Sequence, residues 1–227
     1  LESVKPGFGE CVEILKKNMQ LDPYFAEFYN WARENNVPIV VLSSGMKPII
    51  SALFEVLLGH KPDPSHLAIV ANDVESRDGR DINTPGGWQI KYHDDRSVTI
   101  ILSRISKSNK SQHFGHDKSL EIKPYAALPA DKRPTLLYAG DGVSDLSAAR
   151  ETDLLFAKRG RGKSNGSSPA APVFLTRLIN LVTYCEREGV PFTVFDDWSS
   201  ILEITKDIHS GKATPKDIAE RTRQQTA

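Results

Sequence analysis

Three short stretches carry residues whose types and spacing could do chemistry: Ser43-Ser44-Gly45, Lys118 within GHDKS, and the run from Gly140 through Asp141 and Gly142 to Asp145. The last is the most pointed. It sets two carboxylates four apart around a glycine, directly after the apolar run TLLYA. Hard oxygen ligands so placed suit Mg²⁺, which takes one or two carboxylates together with substrate phosphate oxygens and waters. Asp145 has a plainer role open to it, capping the helix that follows. Ser43 offers a hydroxyl, and Ser44 and Gly45 offer backbone N–H groups near a helix N-terminus, where a phosphate or other anion can sit. A simple strand-to-helix turn remains the alternative, because Ser and Gly tolerate the bend. Lys118 lies 23 residues before Asp141. A lone lysine is most often a solvated surface group, and its neighbours His116 and Asp117 read as surface or capping residues.

These residues need elements to hold them. From Asp22, DPYFAEFYNWARENN predicts a helix, with Asp22 as cap, Pro23 at the first helical position and an apolar face of Phe25, Phe28 and Ala32. VPIVVL (37–42) is too continuous to alternate and predicts a strand buried on both faces. It runs into Ser43-Ser44-Gly45 and, through Pro48, into the helix PIISALFEVLLG. The unit repeats at TLLYA (135–139), GDGVSD and the short helix LSAAR. DLLFA (153–157) and VPFTVF (190–195) predict two more parallel strands, the second feeding a helix around DWSSILEITKDI. LAIVANDVES and WQIKYH flank the turn-rich RDGRDINTPGG and predict a β-hairpin. Strands alternating with helices imply an α/β parallel sheet with covered faces, and ligands of such sheets bind where strands end and helices begin. The last residues, GKATPKDIAERTRQQTA, are polar and are expected to fray.

Composition narrows the classes. Of 227 residues, 29 are Lys or Arg and 29 Asp or Glu, so net charge is zero. That argues against a nucleic-acid or membrane-surface protein, whose affinity comes from a basic excess. Cys11 and Cys185 cannot form a disulfide framework, and no transmembrane run or signal segment is present, so a cytoplasmic setting is expected.

Taken in order, VVLSSG, the lysine of GHDKS and YAGDGVSD resemble the second, third and fourth motifs of the haloacid dehalogenase (HAD) superfamily of phosphatases, in its phosphoserine-phosphatase-like branch. LDPYFAEFYNWARENNVPIVVLSSGM and YAGDGVSDLSAARETDLLFAK look most like the fungal small-molecule phosphatases of that branch. The resemblance implies an α/β, HAD-like Rossmannoid parallel sheet with helices on both faces. It also implies hydrolysis of a small-molecule phosphomonoester (polyol phosphate, glycerol phosphate or phosphoserine) through an aspartyl-phosphate. Ser43, Ser44 and Lys118 would hold the phosphate, Lys118 acting catalytically by neutralising charge, and Asp141 with Asp145 would hold Mg²⁺.

One motif is missing. The family's nucleophile lies on a buried strand ending in Asp-x-Asp, and no Asp-x-Asp occurs in the 227 residues. The expected architecture is therefore N-terminally truncated, with the helical cap largely missing. Residues 1–30 are read as a remnant of the cap and the return to the core, 31–210 as the core and 211–227 as a polar tail. The chain is expected to be catalytically inactive or impaired, and a non-catalytic, phosphate-binding pseudophosphatase is the alternative. Two segments, 96–112 and 161–180, have no counterpart in the resemblance and contain no acidic residue. They are read as inserts, and their seven basic residues leave the rest of the chain at a net charge of −7. Gly162-Lys163-Ser164 mimics a phosphate loop, but SNGSSPAAP cannot supply the helix such a loop needs. Oligomeric state is left open.

Overall fold

The computed structural model describes residues 4–93, 117–142, 145–159 and 181–226. Both segments read as inserts lie outside the described residues, as do His116, Asp94-Asp95 and the phosphate-loop mimic from 160 onward. The chain divides into two compact units, one formed by residues 1–22 and 29–116 and the other by 23–28 and 117–227.

The first unit holds a three-stranded sheet in the order β1-β2-β3, from β1 (Ile39–Met46), β2 (Leu67–Ser76) and β3 (Trp88–Lys91). β2 begins parallel to β1 and ends antiparallel to β3, so the predicted hairpin forms and shares its first strand with the parallel sheet. Helix α1 (Phe8–Asn18) meets the hairpin loop: the Phe8 amide donates to the Ile82 carbonyl at 2.9 Å, and the Gly9 amide donates to Asn83 Oδ1 at 3.0 Å. Asn83 thereby satisfies an otherwise orphan N–H of the first helical turn. Phe8 and Trp88 are buried edge-to-face at 5.5 Å, and the Trp88 indole donates to the Pro6 carbonyl.

The helix expected from Asp22 starts later, as α2 (Phe25–Glu34), because Tyr24 lies at φ +65° and cannot continue a right-handed helix. Its predicted apolar face is present, with Phe25, Phe28 and Ala32 buried. The run 37–42 is a strand but is not buried on both faces; Val40 is 49% exposed. β1 ends its sheet among the described residues, bonded to β2 alone, so its outer side lacks the neighbour that would cover it. Helix α3 (Lys47–Leu58) follows with Pro48 in its first turn and Gly59 at φ +76° closing it, a conformation in which a Cβ would be strained.

The second unit holds a parallel sheet in the order β4-β5-β6, from β4 (Leu137–Gly140), β5 (Leu154–Lys158) and β6 (Phe192–Phe195). β5 lies between the other two and four of its five residues are buried, whereas every residue of β4, at the sheet's end, is half-buried. Helices α4 (Ser119–Ala126), α5 (Leu146–Ala149), α6 (Leu181–Glu188), α7 (Trp198–His209) and α8 (Pro215–Thr226) complete the unit. Ala149, Leu155, Ala157, Leu181, Cys185 and Phe192 form its core. Trp198 packs against Phe25, Phe28 and Phe195, and Asp197 caps α7 by accepting the Ser199 amide at 2.9 Å.

The C-terminal residues expected to fray form α8 instead. Thr214 and Asp217 make a reciprocal capping box: the Asp217 carboxylate accepts from the Thr214 amide and hydroxyl, and the Asp217 amide donates to Thr214 Oγ1. Ile218, Ala219 and Thr222 are buried, Thr222 being hydrogen-bonded to Thr193 of β6. A narrow apolar stripe and a good cap suffice here, despite the polar composition.

Candidate active site

In the second unit, β4 ends at Gly140 and delivers Asp141 into solvent at the strand's C-terminal end. Asp145 follows at the start of α5, but its side chain does not cap that helix. It turns back beneath the loop and is 2% exposed. Oδ1 accepts from Lys118 Nζ at 2.5 Å and from the Tyr138 hydroxyl at 2.7 Å, while Oδ2 accepts the amides of Asp141 and Gly142, each at 3.0 Å. A carboxylate presents about four lone-pair sites, so protein donors fill Asp145.

The electrostatics follow from that geometry. Burial disfavours the charged carboxylate, yet hydrogen bonds from Lys118 and Tyr138, the lysine's charge and the Gly142 amide together hold the Asp145 carboxyl below its ordinary range. Burial first, and the Asp145 charge second, push the Tyr138 hydroxyl far upward, so it stays a protonated donor. Lys118 is itself buried, 8% exposed, at the residue preceding α4. Its neighbour Asp117 has the expected capping role, accepting from the Ser119 amide and hydroxyl at 3.1 and 2.8 Å. Burial opposes ionisation of Asp117, but bonds from Ser119 and Ser147 outweigh it and lower its pKa.

The first unit places the serine turn. β1 pairs with β2 in register up to Ser43 opposite Ala71; the register then shifts so that Met46 faces Asn72. Ser44 and Gly45 are the bulge, and bulges of this kind re-aim the chain beside functional sites. Ser43 Oγ accepts the Gly45 amide at 3.0 Å, so that N–H, expected to face an anion, is engaged within the turn. Ser44 is exposed, and its carbonyl accepts from Asn72 Nδ2 at 2.8 Å.

Lys118 and Asp145 are thus brought together, with Asp141 joined to them through its backbone, while Ser43 and Ser44 lie in the other unit. One participant, Tyr138, is not singled out in the sequence, and Gly140, which opens the acidic turn named there, has a further part. Tyr138 sits inside an apolar run that reads as plain strand, so its type gives no signal. Gly140 does give one, being a residue without a side chain just before the acid: a Cβ there would come within 2.7 Å of the Asp145 carboxyl carbon.

Among the described residues no three His, Cys, Asp or Glu side chains gather into a metal cluster. The Asp141 carboxylate meets no donor among the described residues, and Asp145 is filled. The donor set fits a cation held by one protein carboxylate that takes its remaining ligands from substrate and water, as Mg²⁺ commonly does. No helix among the described residues is long and apolar enough to cross a membrane.

Comparison with known proteins gives the family. The family model for haloacid dehalogenase-like hydrolases matches residues 6–150. A Schizosaccharomyces pombe protein named Pdp3-interacting factor 1 is 43% identical over 201 residues, covering 88% of this chain and 70% of the relative. A Saccharomyces cerevisiae protein, polyol phosphate phosphatase PYP1, is 40% identical over 230 aligned positions, covering 97% of this chain and 77% of the relative. With its motifs in sequence order, its α/β architecture and these matches, the chain belongs to the haloacid dehalogenase-like hydrolases.

Proposed function

We propose that the chain carries the phosphate- and metal-handling apparatus of a Mg²⁺-dependent phosphatase acting on small-molecule phosphomonoesters of the polyol phosphate, glycerol phosphate or phosphoserine class. The observation that carries this reading is the buried Lys118–Asp145 pair under the Asp141 loop, at the end of a parallel strand. An ammonium has three donors. Asp145 takes one at 2.5 Å, leaving the others to meet phosphoryl charge. The Ser43 oxygen already accepts from Gly45, which leaves its proton for a phosphoryl oxygen, beside the Ser44 amide. Asp141 is the direct ligand for the cation, and Asp145 serves the metal site by holding the Asp141 backbone. Mg²⁺, when bound, polarises the phosphoryl group and orients it.

Attack on phosphorus requires a nucleophilic aspartate, and the 227 residues contain no Asp-x-Asp strand to supply it. In this reading residues 31–210 are the core, 1–30 belong to the cap and the return from it, and the chain by itself is inactive or impaired. Among the described residues β1 and β4 each stand at the end of their own sheet, which supports a core short of a strand.

A second reading, a non-catalytic phosphate-binding interaction protein, is favoured by the absent nucleophile and by a relative named for an interaction partner. Titrating the chain calorimetrically with inorganic phosphate in the presence of Mg²⁺ tests what both readings share. Saturable binding, weakened at least tenfold by Ser43→Ala and by Asp141→Ala, is expected; absence of binding, or indifference to both substitutions, overturns the proposal. Adding an Asp-x-Asp strand ahead of Leu1 separates the two readings, because turnover then appears only if the site is catalytic.

A further inference from the structure

Asn72 is buried, 4% exposed, in the middle of β2, where both ladders of that strand are interrupted. On one side the parallel pairing jumps from Ser43 opposite Ala71 to Met46 opposite Asn72, which leaves Ser44 and Gly45 without register partners. On the other side the antiparallel pairing ends at Asp73 opposite Lys91. The Asn72 side chain spans both gaps: Nδ2 donates to the Ser44 carbonyl at 2.8 Å, and Oδ1 accepts the His93 amide at 2.9 Å. We propose that Asn72 is a positioning residue for phosphate binding, its carboxamide fixing the Ser44–Gly45 peptide and through it the Ser43 hydroxyl. The inference rests on the phosphatase reading above and adds to it the residue that holds the serine turn in its phosphate-receiving form.

These bonds set the orientation of one peptide unit. Its carbonyl, from Ser44, accepts from Asn72, and its N–H, from Gly45, donates to Ser43 Oγ at 3.0 Å. The unit is planar and its two polar groups point in opposite directions, so fixing the carbonyl also fixes the N–H. With a lone pair held by Gly45, the Ser43 hydroxyl keeps its proton for a phosphoryl oxygen. Without the Asn72 donor the unit is free to turn over. That takes the N–H away from Ser43 and presents a carbonyl dipole where an anion is to sit.

The same partners explain the residue type. A buried polar group is costly unless it is hydrogen-bonded, and a carboxamide carries a donor and an acceptor side by side on one short plane. With a carbonyl on one side and an N–H on the other, a single orientation of the Asn72 amide satisfies both. Aspartate has the same shape, keeps the acceptor for the His93 amide and, when ionised, loses the donor for Ser44. The substitution Asn72→Asp therefore separates the bond to the serine turn from the bond to the end of the hairpin.

The test titrates the full chain calorimetrically with inorganic phosphate and Mg²⁺, as the parent, Asn72→Asp and Asn72→Ala, with urea melts to establish that each is folded. Near neutral pH, Asn72→Asp is expected to weaken phosphate binding about fivefold or more, since a buried carbonyl loses its donor. Lowering the pH from about 7.5 to 5 protonates the introduced carboxyl, whose pKa burial raises, and restores a donor to Ser44. The ratio of parent to variant affinity, in which the ionisation of phosphate itself cancels, is then expected to fall toward one. Asn72→Ala is expected to show a deficit that does not recover, and it carries the test if the aspartate variant does not fold. Parent-like phosphate binding by either folded variant near neutral pH, or an Asn72→Asp deficit that stays constant across the pH range, overturns the inference and leaves Asn72 a role in the fold alone. Absence of phosphate binding by the parent chain overturns the phosphatase reading and the inference with it.

Discussion

Asp145→Ala is the most revealing single change. It leaves the Lys118 ammonium, whose side chain is 10% exposed, without its counter-charge and removes the acceptor of the Tyr138 hydroxyl. Removing one partner of a buried pair costs about 3–5 kcal/mol, because an uncompensated charge remains in a poorly solvated place. The amides of Asp141 and Gly142 add little, since that loop reaches solvent. With domain stabilities of about 5–15 kcal/mol and urea slopes of about 1–3 kcal/mol per molar, the unfolding midpoint should fall by roughly 2 M. The decisive assay is a double-mutant cycle in urea, followed by circular dichroism. Lys118→Met in the Asp145→Ala background removes the stranded charge and should recover about 2 kcal/mol or more. Additivity of the two substitutions, or a loss below about 1 kcal/mol for Asp145→Ala, would show that the pair is not coupled and refute the reasoning.

Other consequences are as specific. Gly140→Ala places a methyl within 2.7 Å of the buried Asp145 carboxyl group and should destabilise by about 1–3 kcal/mol, read by the same melts. Asp197→Ala removes the acceptor of the Ser199 amide and should lower the unfolding midpoint, with Asp197→Ser retaining most of the stability. The Asp145 carboxyl is held low when folded, so its contribution is complete above the unfolded value near 3.9 and is lost as pH falls through the lower folded value. Acid unfolding should therefore steepen below about pH 4 in the parent chain and be shallower in the Lys118→Met, Asp145→Leu double variant.

The βα punctuation was readable because it rests on local rules. Apolar runs followed by Ser-Ser-Gly or Gly-Asp-Gly gave β1 with α3 and β4 with α5, and alternating runs flanking a Gly-rich turn gave the β2–β3 hairpin. Lys118, Asp141 and Asp145 stand out in the sequence as candidates by type and order, whereas what they do to one another does not. Asp145 could be read as a cap or a ligand, and only the tertiary arrangement turns it inward to Lys118 and Tyr138. Tyr138 left no trace, since a buried phenol in a strand looks like any aromatic core residue. The exposure of Val40 cannot be read from composition, which reports only a preference for burial; it goes with the place of β1 at the end of its sheet among the described residues. Helix α8 is signalled by the Thr-Pro-Lys-Asp capping pattern at 214–217, against a polar composition that by itself points to a frayed end.

The central claim is that this chain has the phosphate and metal groups of the site and lacks the nucleophile. Steady-state hydrolysis of p-nitrophenyl phosphate by the purified chain with Mg²⁺ tests it most directly. Turnover indistinguishable from the Asp141→Ala variant is predicted; robust Mg²⁺-dependent turnover that Asp141→Ala abolishes would contradict the account, because the nucleophile would then have to lie among residues in which none has been recognised.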